Sequence, residues 1–237
     1  MAKSIPIALI TIVDSLSSDE RPTTFWHIDA VSWGSPFHSL DSRKADMITS
    51  ANHKDHCQHC KKNISILLST IFGEVQPEYD IDLPSQIDDY KNTNIYSSIY
   101  PIYKSLQNYR GHCDFVKARK LSKVDFFIPK EKIIIEIDES QHFTKPREIA
   151  LSLYPKNDQF RFSIEKWKTL CRELNKRDNS PSFRDEQRAW YDTLRDFAPI
   201  FWGDGKVIRL YSREFAWCSL NHKNESDLEK FRSILSL

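Results

Sequence analysis

The sequence predicts an α/β fold with at least one antiparallel pair of strands. Two patterns carry that prediction. The stretch VDFFIPKEKIIIEID at 124–138 is a pair of apolar runs joined by a polar turn, and segments of helical period precede and follow it before the short β-branched run KVIRLY at 206–211. Strands alternating with helices read as α/β. Only 5 glycines occur in 237 residues, which argues against a loop-rich β-sandwich and against a Gly-rich phosphate loop; neither GxGxxG nor GxxxxGK[ST] is present.

Taken in order, residues 5–13 read as a buried strand, too short for a membrane span and without a cleavage-site pattern. Residues 14–56 are irregular and aromatic, an arm expected to pack on the main body. The division predicted is 1–59 as N-terminal strand and arm, and 60–237 as core. In KKNISILLSTIFG (61–73), Ile64, Leu67, Leu68 and Ile71 recur at helical spacing and Gly73 is the stop. The Tyr-, Asp- and Asn-rich stretch 76–110 holds one short helix near 97–108. After the hairpin, residues 163–176 form a helix with Ile164, Trp167, Leu170, Cys171 and Leu174 inward and Lys168, Arg172 and Lys176 outward. DNSPSF breaks the chain, 183–197 is a third helix, 206–211 a strand, and ESDLEKFRSIL a closing helix starting near Glu225 or Ser226.

The hairpin carries acids where a core wants none. Side chains alternate along a strand, so Ile134, Glu136 and Asp138 share one face of the second strand and Ile133, Ile135 and Ile137 the other. A turn centred on Lys130 and Glu131 sets Asp125 opposite Glu136 and Phe127 opposite Ile134. An odd-length loop would throw Glu136 to the other face. Two opposed carboxylates in a partly apolar setting repel by roughly several kcal/mol if both are ionised. A divalent cation between them removes that penalty, and Mg²⁺ accepts one or two carboxylates plus waters and phosphate oxygens. Asp138 would complete the site or position a water. The competing reading is an edge hairpin whose acids are solvated and paired with Lys130 or Lys132.

The 34 basic and 33 acidic residues leave a formal charge of +1, so no bulk basic field for nucleic acid exists, although one face can still be polarised. Lys117, Arg119, Lys120 and Lys123 form a basic flank just before the first acidic strand, suited to attracting a polyanion or simply a solvated loop. Arg184 and Arg188 on the third helix suit phosphate contacts, or pair with Asp185, Asp192 and Asp196. HKDHCQHC at 53–60 spaces Cys57 and Cys60 as half a zinc site, with His53 a local third ligand. Cys113 with His112, or Cys218 with His222, is positioned to complete it only by folding back; reduced thiols capping the next helix are the alternative. Five cysteines without framework spacing point to reduced thiols and a cytoplasmic setting.

Asp125, ten intervening residues and Glu136-Ile137-Asp138, with VDFFIP…IIIEIDESQHF around them, resemble the PD-(D/E)XK (restriction-endonuclease-like) nuclease superfamily, and within it the very-short-patch-repair-like subgroup. DEQRAWYDTLRDF followed by KVIRLY is similar to the helix and closing strand after that motif, and the likeness spans about 60–212. It implies a restriction-endonuclease-like core with a mixed central sheet flanked by helices, plus the N-terminal elaboration. It also implies a Mg²⁺-dependent DNA endonuclease (Mn²⁺ as substitute) of restriction, repair or defence type, with homodimerisation fitting double-strand cutting. Asp125 and Glu136 match the metal-binding acids. Asp138 stands where the superfamily has Lys, so Asp138 would assist with metal or water and Gln141, His142 or Lys145 would replace the lysine, His142 as general base. For the Glu often found on the preceding helix only Glu74 is on offer, at the helix end, with Asn63 or Lys61 at the more expected height. The alternative is a catalytically inactive nucleic-acid-binding protein with the nuclease fold and a Cys/His zinc site; a scaffold module is the third.

Overall fold

The computed structural model describes residues 55–236. The predicted strand at 5–13, nearly all of the arm and His53 lie outside them. Six helices and four strands follow in the order α1 (Gln58–Phe72), β1 (Gln76–Tyr79), α2 (Tyr96–Arg110), β2 (Val124–Ile128), β3 (Ile133–Asp138), α3 (Lys145–Ser152), α4 (Ile164–Leu174), α5 (Arg184–Trp202), β4 (Lys206–Tyr211) and α6 (Glu225–Ile234). The fold is α/β, a four-stranded mixed sheet flanked by helices. None of these helices is long and apolar enough to cross a membrane.

Strand order is β1-β2-β3-β4, antiparallel across the first two pairs and parallel between β3 and β4. The parallel pair requires a long crossover, supplied by α3, α4 and α5. The hairpin register is the one its even loop predicts: Phe126 pairs with Ile135, Phe127 with Ile134 and Ile128 with Ile133. β4 enters through Gly205, whose φ is +90° and where a Cβ would lie 2.4 Å from the Lys132 carbonyl oxygen. That oxygen accepts the Lys206 N–H at 3.1 Å, so the bare glycine is what lets β4 close against β3.

Alternation along β3 sorts the core into two layers. Ile133 and Ile135, with Phe126, Ile128, Ile208 and Leu210, pack against Ile64, Leu67 and Leu68 of α1 and Leu228 and Phe231 of α6. Ile134 and Val207 pack on the opposite side with Trp190, Leu194 and Phe197 of α5 and Ile99, Ile102 and Leu106 of α2. Glu136 and Asp138 share this second face and meet α5. The α1 stripe is the predicted one, and Gly73 ends the helix with φ +82° and its N–H on the Ser69 carbonyl at 2.9 Å. In α4, Trp167 and Cys171 are buried as predicted, with Ile164, Leu170 and Leu174 packed beside them.

Two elements escape the sequence reading. β1, with the sequence QPEY, has no apolar alternation and holds Glu78 at φ +50°. α3 is only 8 residues, capped by the Thr144 hydroxyl accepting the Arg147 N–H, and it buries the charged Arg147 together with Pro146, Ala150 and Leu151. Helix α5 runs five residues beyond the predicted end at 197, to Trp202, and Gly203 stops it.

Candidate functional site

The β2–β3 ladder stops at Phe126 and Ile135. One step further, where Asp125 stands opposite Glu136 in the same register, a side chain replaces the backbone bond: Asp125 Oδ2 accepts the Ile137 N–H at 2.7 Å. The fork opens an exposed depression of about 500 Å³, lined among others by Asp125, Glu136, Glu139, Gln141, His142 and Arg195. Asp125, Glu136, Gln141 and His142, four of the five residues predicted to be catalytic, therefore share one opening, and the buried Asp138 is not among its lining residues.

Asp125 is the accessible acid. Its Oδ1 accepts from Lys61 Nζ of α1 at 2.7 Å, and the same ammonium is paired with Glu78. Desolvation works against this ammonium, but Asp125 and Glu78 more than offset it and hold the Lys61 pKa above its usual value. Glu74 turns instead to the Gln76 side chain, 2.9 Å away, and takes no part. Lys61 is thus the α1 side chain that pairs with an acid of the hairpin.

Glu136 is 6% exposed. Its Oε1 makes no hydrogen bond, and neither does the nearest cation, Arg195 Nε, 3.6 Å away. Burial raises the Glu136 pKa to about 8; Arg195 pulls it down and Asp125 pushes it further up. A buried carboxylate oxygen without a donor is an unsettled group, since the great majority of buried polar atoms are partnered.

Asp138 is engaged on both oxygens. Arg209 Nη1 of β4 donates to Oδ1 and Trp167 Nε1 of α4 to Oδ2, each at 2.6 Å. Among the described residues, Asp125, Glu136 and Asp138 do not form a trio of carboxylates with oxygens all within 4.8 Å; Asp138 groups instead with His142 and Asp192. Arg209 also binds Asp196 Oδ1 at 2.6 Å and the Asp192 carbonyl at 3.2 Å, and Arg147 binds Asp196 Oδ2 at 2.6 Å. A buried lattice of charge therefore underlies the site, with Asp138, Asp192 and Asp196 interleaved with Arg147 and Arg209 and with Arg195 at its border.

His142 Nδ1 lies 3.0 Å from Asp192 Oδ2 and 3.5 Å from Asp138 Oδ1. Desolvation lowers its pKa, but the charge and hydrogen bond of Asp192 outweigh that and leave it raised. Asp192 is held well below the usual carboxylate range by His142 and Arg209, against the effect of its own burial. Gln141 is exposed; its amide donates to Glu139 at 2.9 Å, and Glu139 also meets His56 Nδ1 at 2.6 Å.

Comparison with family models, with curated proteins and with solved structures returns no match to this chain. The site therefore rests on its own geometry.

Lys117, Arg119, Lys120 and Lys123 are all exposed on the segment entering β2. Lys117 pairs with Asp114 and Lys120 with Asp82. Arg184 is exposed and donates to Gln187 at 2.9 Å. Arg188 is 13% exposed and donates to the Gln141 carbonyl at 3.0 Å and to Asp178 at 3.2 Å, which fixes the loop carrying Gln141. Cys57 and Cys60 sit at the start of α1, and the third sulfur near them is that of Cys218.

Sequence reasoning passed over Arg209, Asp192 and Arg195 as site-forming groups. A signal existed. Arg209 interrupts an otherwise apolar strand, and Asp185, Asp192, Arg195 and Asp196 fall on the buried stripe of α5 rather than on its solvent face.

Proposed function

We propose that this chain is a metal-dependent DNA endonuclease with a restriction-endonuclease-like core. The observation that carries the reading is Glu136: a buried carboxylate with an orphaned oxygen beside Asp125, at an opening on the solvent. Hard oxygen donors, one accessible and one without a partner, fit Mg²⁺ or Mn²⁺. Asp125 and Glu136 are the residues that would hold such an ion, which in phosphodiester hydrolysis supplies charge stabilisation and a more acidic water.

The chain's own groups supply the rest. Asp192 fixes His142 through Nδ1, which leaves Nε2 as the nitrogen for taking a proton from water. The Gln141 amide orients that water, and Arg188 holds the Gln141 backbone in place. Lys61 provides, from α1, the cation that position 138 does not. Asp138 keeps a supporting role, fastening β3 to β4 through Arg209. The flank of Lys117, Arg119, Lys120 and Lys123 tracks the phosphate backbone, a contact that positions a duplex without reading its sequence.

The test is cleavage of supercoiled plasmid, linear duplex and single strands with Mg²⁺ or Mn²⁺, by the wild-type chain and by Glu136→Gln. Cleavage by the first and not the second is expected. All three substrates remaining intact with the wild-type protein would end the enzyme reading.

A second reading has its own support. Asp138 is already neutralised by Arg209 and Asp125 by Lys61, as in a nucleic-acid-binding protein that has lost catalysis. That protein would bind DNA equally well with and without Mg²⁺, and Glu136→Gln would leave binding unchanged.

A further inference from the structure

The start of α1 and the turn after β4 bring three cysteines together. The Sγ atoms of Cys57, Cys60 and Cys218 all lie within 4.8 Å of one another. Cys57 is the N-cap of α1, its sulfur accepting the Cys60 N–H at 3.4 Å, and Cys60 lies in the first turn and is buried. Cys218 belongs to the short 3₁₀ turn Trp217–Ser219. No disulfide joins them.

Backbone and core hardware independent of sulfur chemistry sets this meeting. The Asn63 amide donates to the Trp217 carbonyl and to the Leu220 carbonyl, each at 2.8 Å, clamping the turn onto α1. Trp217 is fully buried and its indole N–H donates to the Tyr211 carbonyl at 3.2 Å, tying the turn to the end of β4. Cys218 is thereby delivered to the CxxC pair from 158 positions further along the chain than Cys60.

We propose that Cys57, Cys60 and Cys218 form a structural zinc site. Three thiolates select a soft or borderline ion over Mg²⁺ or Ca²⁺. Tetrahedral zinc with Zn–S distances of ~2.3 Å places its sulfurs ~3.8 Å apart, so a contraction of under about 1 Å completes the three corners. The fourth corner takes an imidazole or a water. Cys57 and Cys60 have the two-residue spacing of a zinc knuckle, and Cys218 is the ligand from a distant segment that such a half-site needs.

The site would do what a disulfide does in other chains, joining the C-terminal segment that bears α6 to the helix that carries the hairpin's lysine. Lys61 directly follows Cys60, and the cavity beside the cysteines is also lined by Lys61 and Asp125. The ion would therefore fix the height at which Lys61 meets Asp125. This inference does not depend on the nuclease reading, because its readout is metal content rather than cleavage.

The experiment begins with the full chain purified under reducing conditions without chelator, its metals measured by mass spectrometry. About one zinc per chain is expected. The thiolate-to-metal absorption of the Co²⁺-substituted protein should be strong, and it should weaken in Cys218→Ser and Cys57→Ser while Cys113→Ser matches the wild type. A wild-type protein that takes up neither Zn²⁺ nor Co²⁺ after reduction overturns the proposal, and so does a Cys218→Ser protein with unchanged absorption. A native Cys57–Cys218 or Cys60–Cys218 disulfide, found by peptide mapping of protein protected from oxidation, also overturns it. Should the serine variants fail to fold, the wild-type metal content and cobalt spectrum still decide.

Discussion

Replacing Glu136 by Gln should stabilise the protein while removing its response to Mg²⁺. Burial disfavours the Glu136 charge and pushes its pKa in the folded chain up to about 8, against about 4.5 for an ordinary glutamate. A carboxyl raised in this way leaves stability intact below about pH 4.5, and stability then falls as pH rises toward 8, because the unfolded chain has already lost the proton. The loss runs at about 1.4 kcal/mol per pH unit, so it reaches about 3 kcal/mol at pH 7 and about 5 kcal/mol above pH 8. Gln has nearly the same shape and does not titrate. In chelator at pH 7 the variant should therefore melt about 6–12 °C above the wild type, at about 2–4 °C per kcal/mol for a folded body of this size. The gap should close as pH falls toward 4.5. With Mg²⁺ the order reverses in kind: the wild type gains stability with ion concentration, increasingly so toward pH 8, and the variant gains none. Thermal melts across pH 5–9, with chelator and with Mg²⁺, measure both effects. A variant less stable than wild type at pH 8 in chelator, or one that Mg²⁺ still stabilises equally, would refute the reasoning about the orphaned oxygen.

Asp138→Asn should be severe. It takes from the fully buried Arg209 one of its two close carboxylate partners and leaves it Asp196, so unfolding in urea should show a loss of about 3 kcal/mol. His142→Asn removes a group whose raised pKa gives stability that is full below pH 6.5 and lost as pH climbs through the raised folded value. Wild type should thus lose stability above pH 6.5 more steeply than the variant, which keeps only the Glu136 contribution, and the His142 ring resonances should titrate above the ordinary histidine range. Gly205→Ala should cost more than about 1 kcal/mol, since it puts a Cβ against the Lys132 carbonyl in a left-handed backbone conformation. A circular-dichroism melt is sufficient to read it.

The parts of the fold legible in the sequence are those where apolar period and turn length speak together. The hairpin register follows from an even loop and from isoleucines that must face the core, and α1 follows from Ile64, Leu67 and Leu68 with a glycine stop. β4 reads correctly because KVIRLY is β-branched and short. β1 and α3 are illegible for different reasons: β1 buries none of its side chains, and α3 is only 8 residues long with the charged Arg147 on the face it buries beside Ala150 and Leu151. β1 is held by pairing with β2, and α3 by Arg147 reaching Asp196 and Tyr154. For the site, acids on alternate positions reveal that charge is present but not which charge is already answered. Asp138 and Glu136 are equivalent by spacing; what separates them is that Trp167 and Arg209, from distant elements, converge on the first and leave an oxygen of the second bare. Lys61 is a comparable case, since its height on α1 is readable while its pairing with Asp125 depends on how the helix lies across the sheet.

The Arg209 lattice has a consequence for how this chain can change. Arg209 bridges Asp138 and Asp196, the second shared with Arg147, and it stands 3.6 Å from Asp192. Substituting it singly takes a charged partner from each of those acids in a dry interior, and substituting any one of them strands part of Arg209. A simultaneous exchange of Arg209, Arg147, Asp138 and Asp196 for apolar residues of like volume strands far less, and by the general behaviour of buried ion pairs it can come out near neutral. Stability across this lattice is therefore strongly non-additive. Tolerated sequences on either side are separated by intermediates that fold poorly, so the strand, the crossover helix and the end of the hairpin are bound to vary together or to stay as they are.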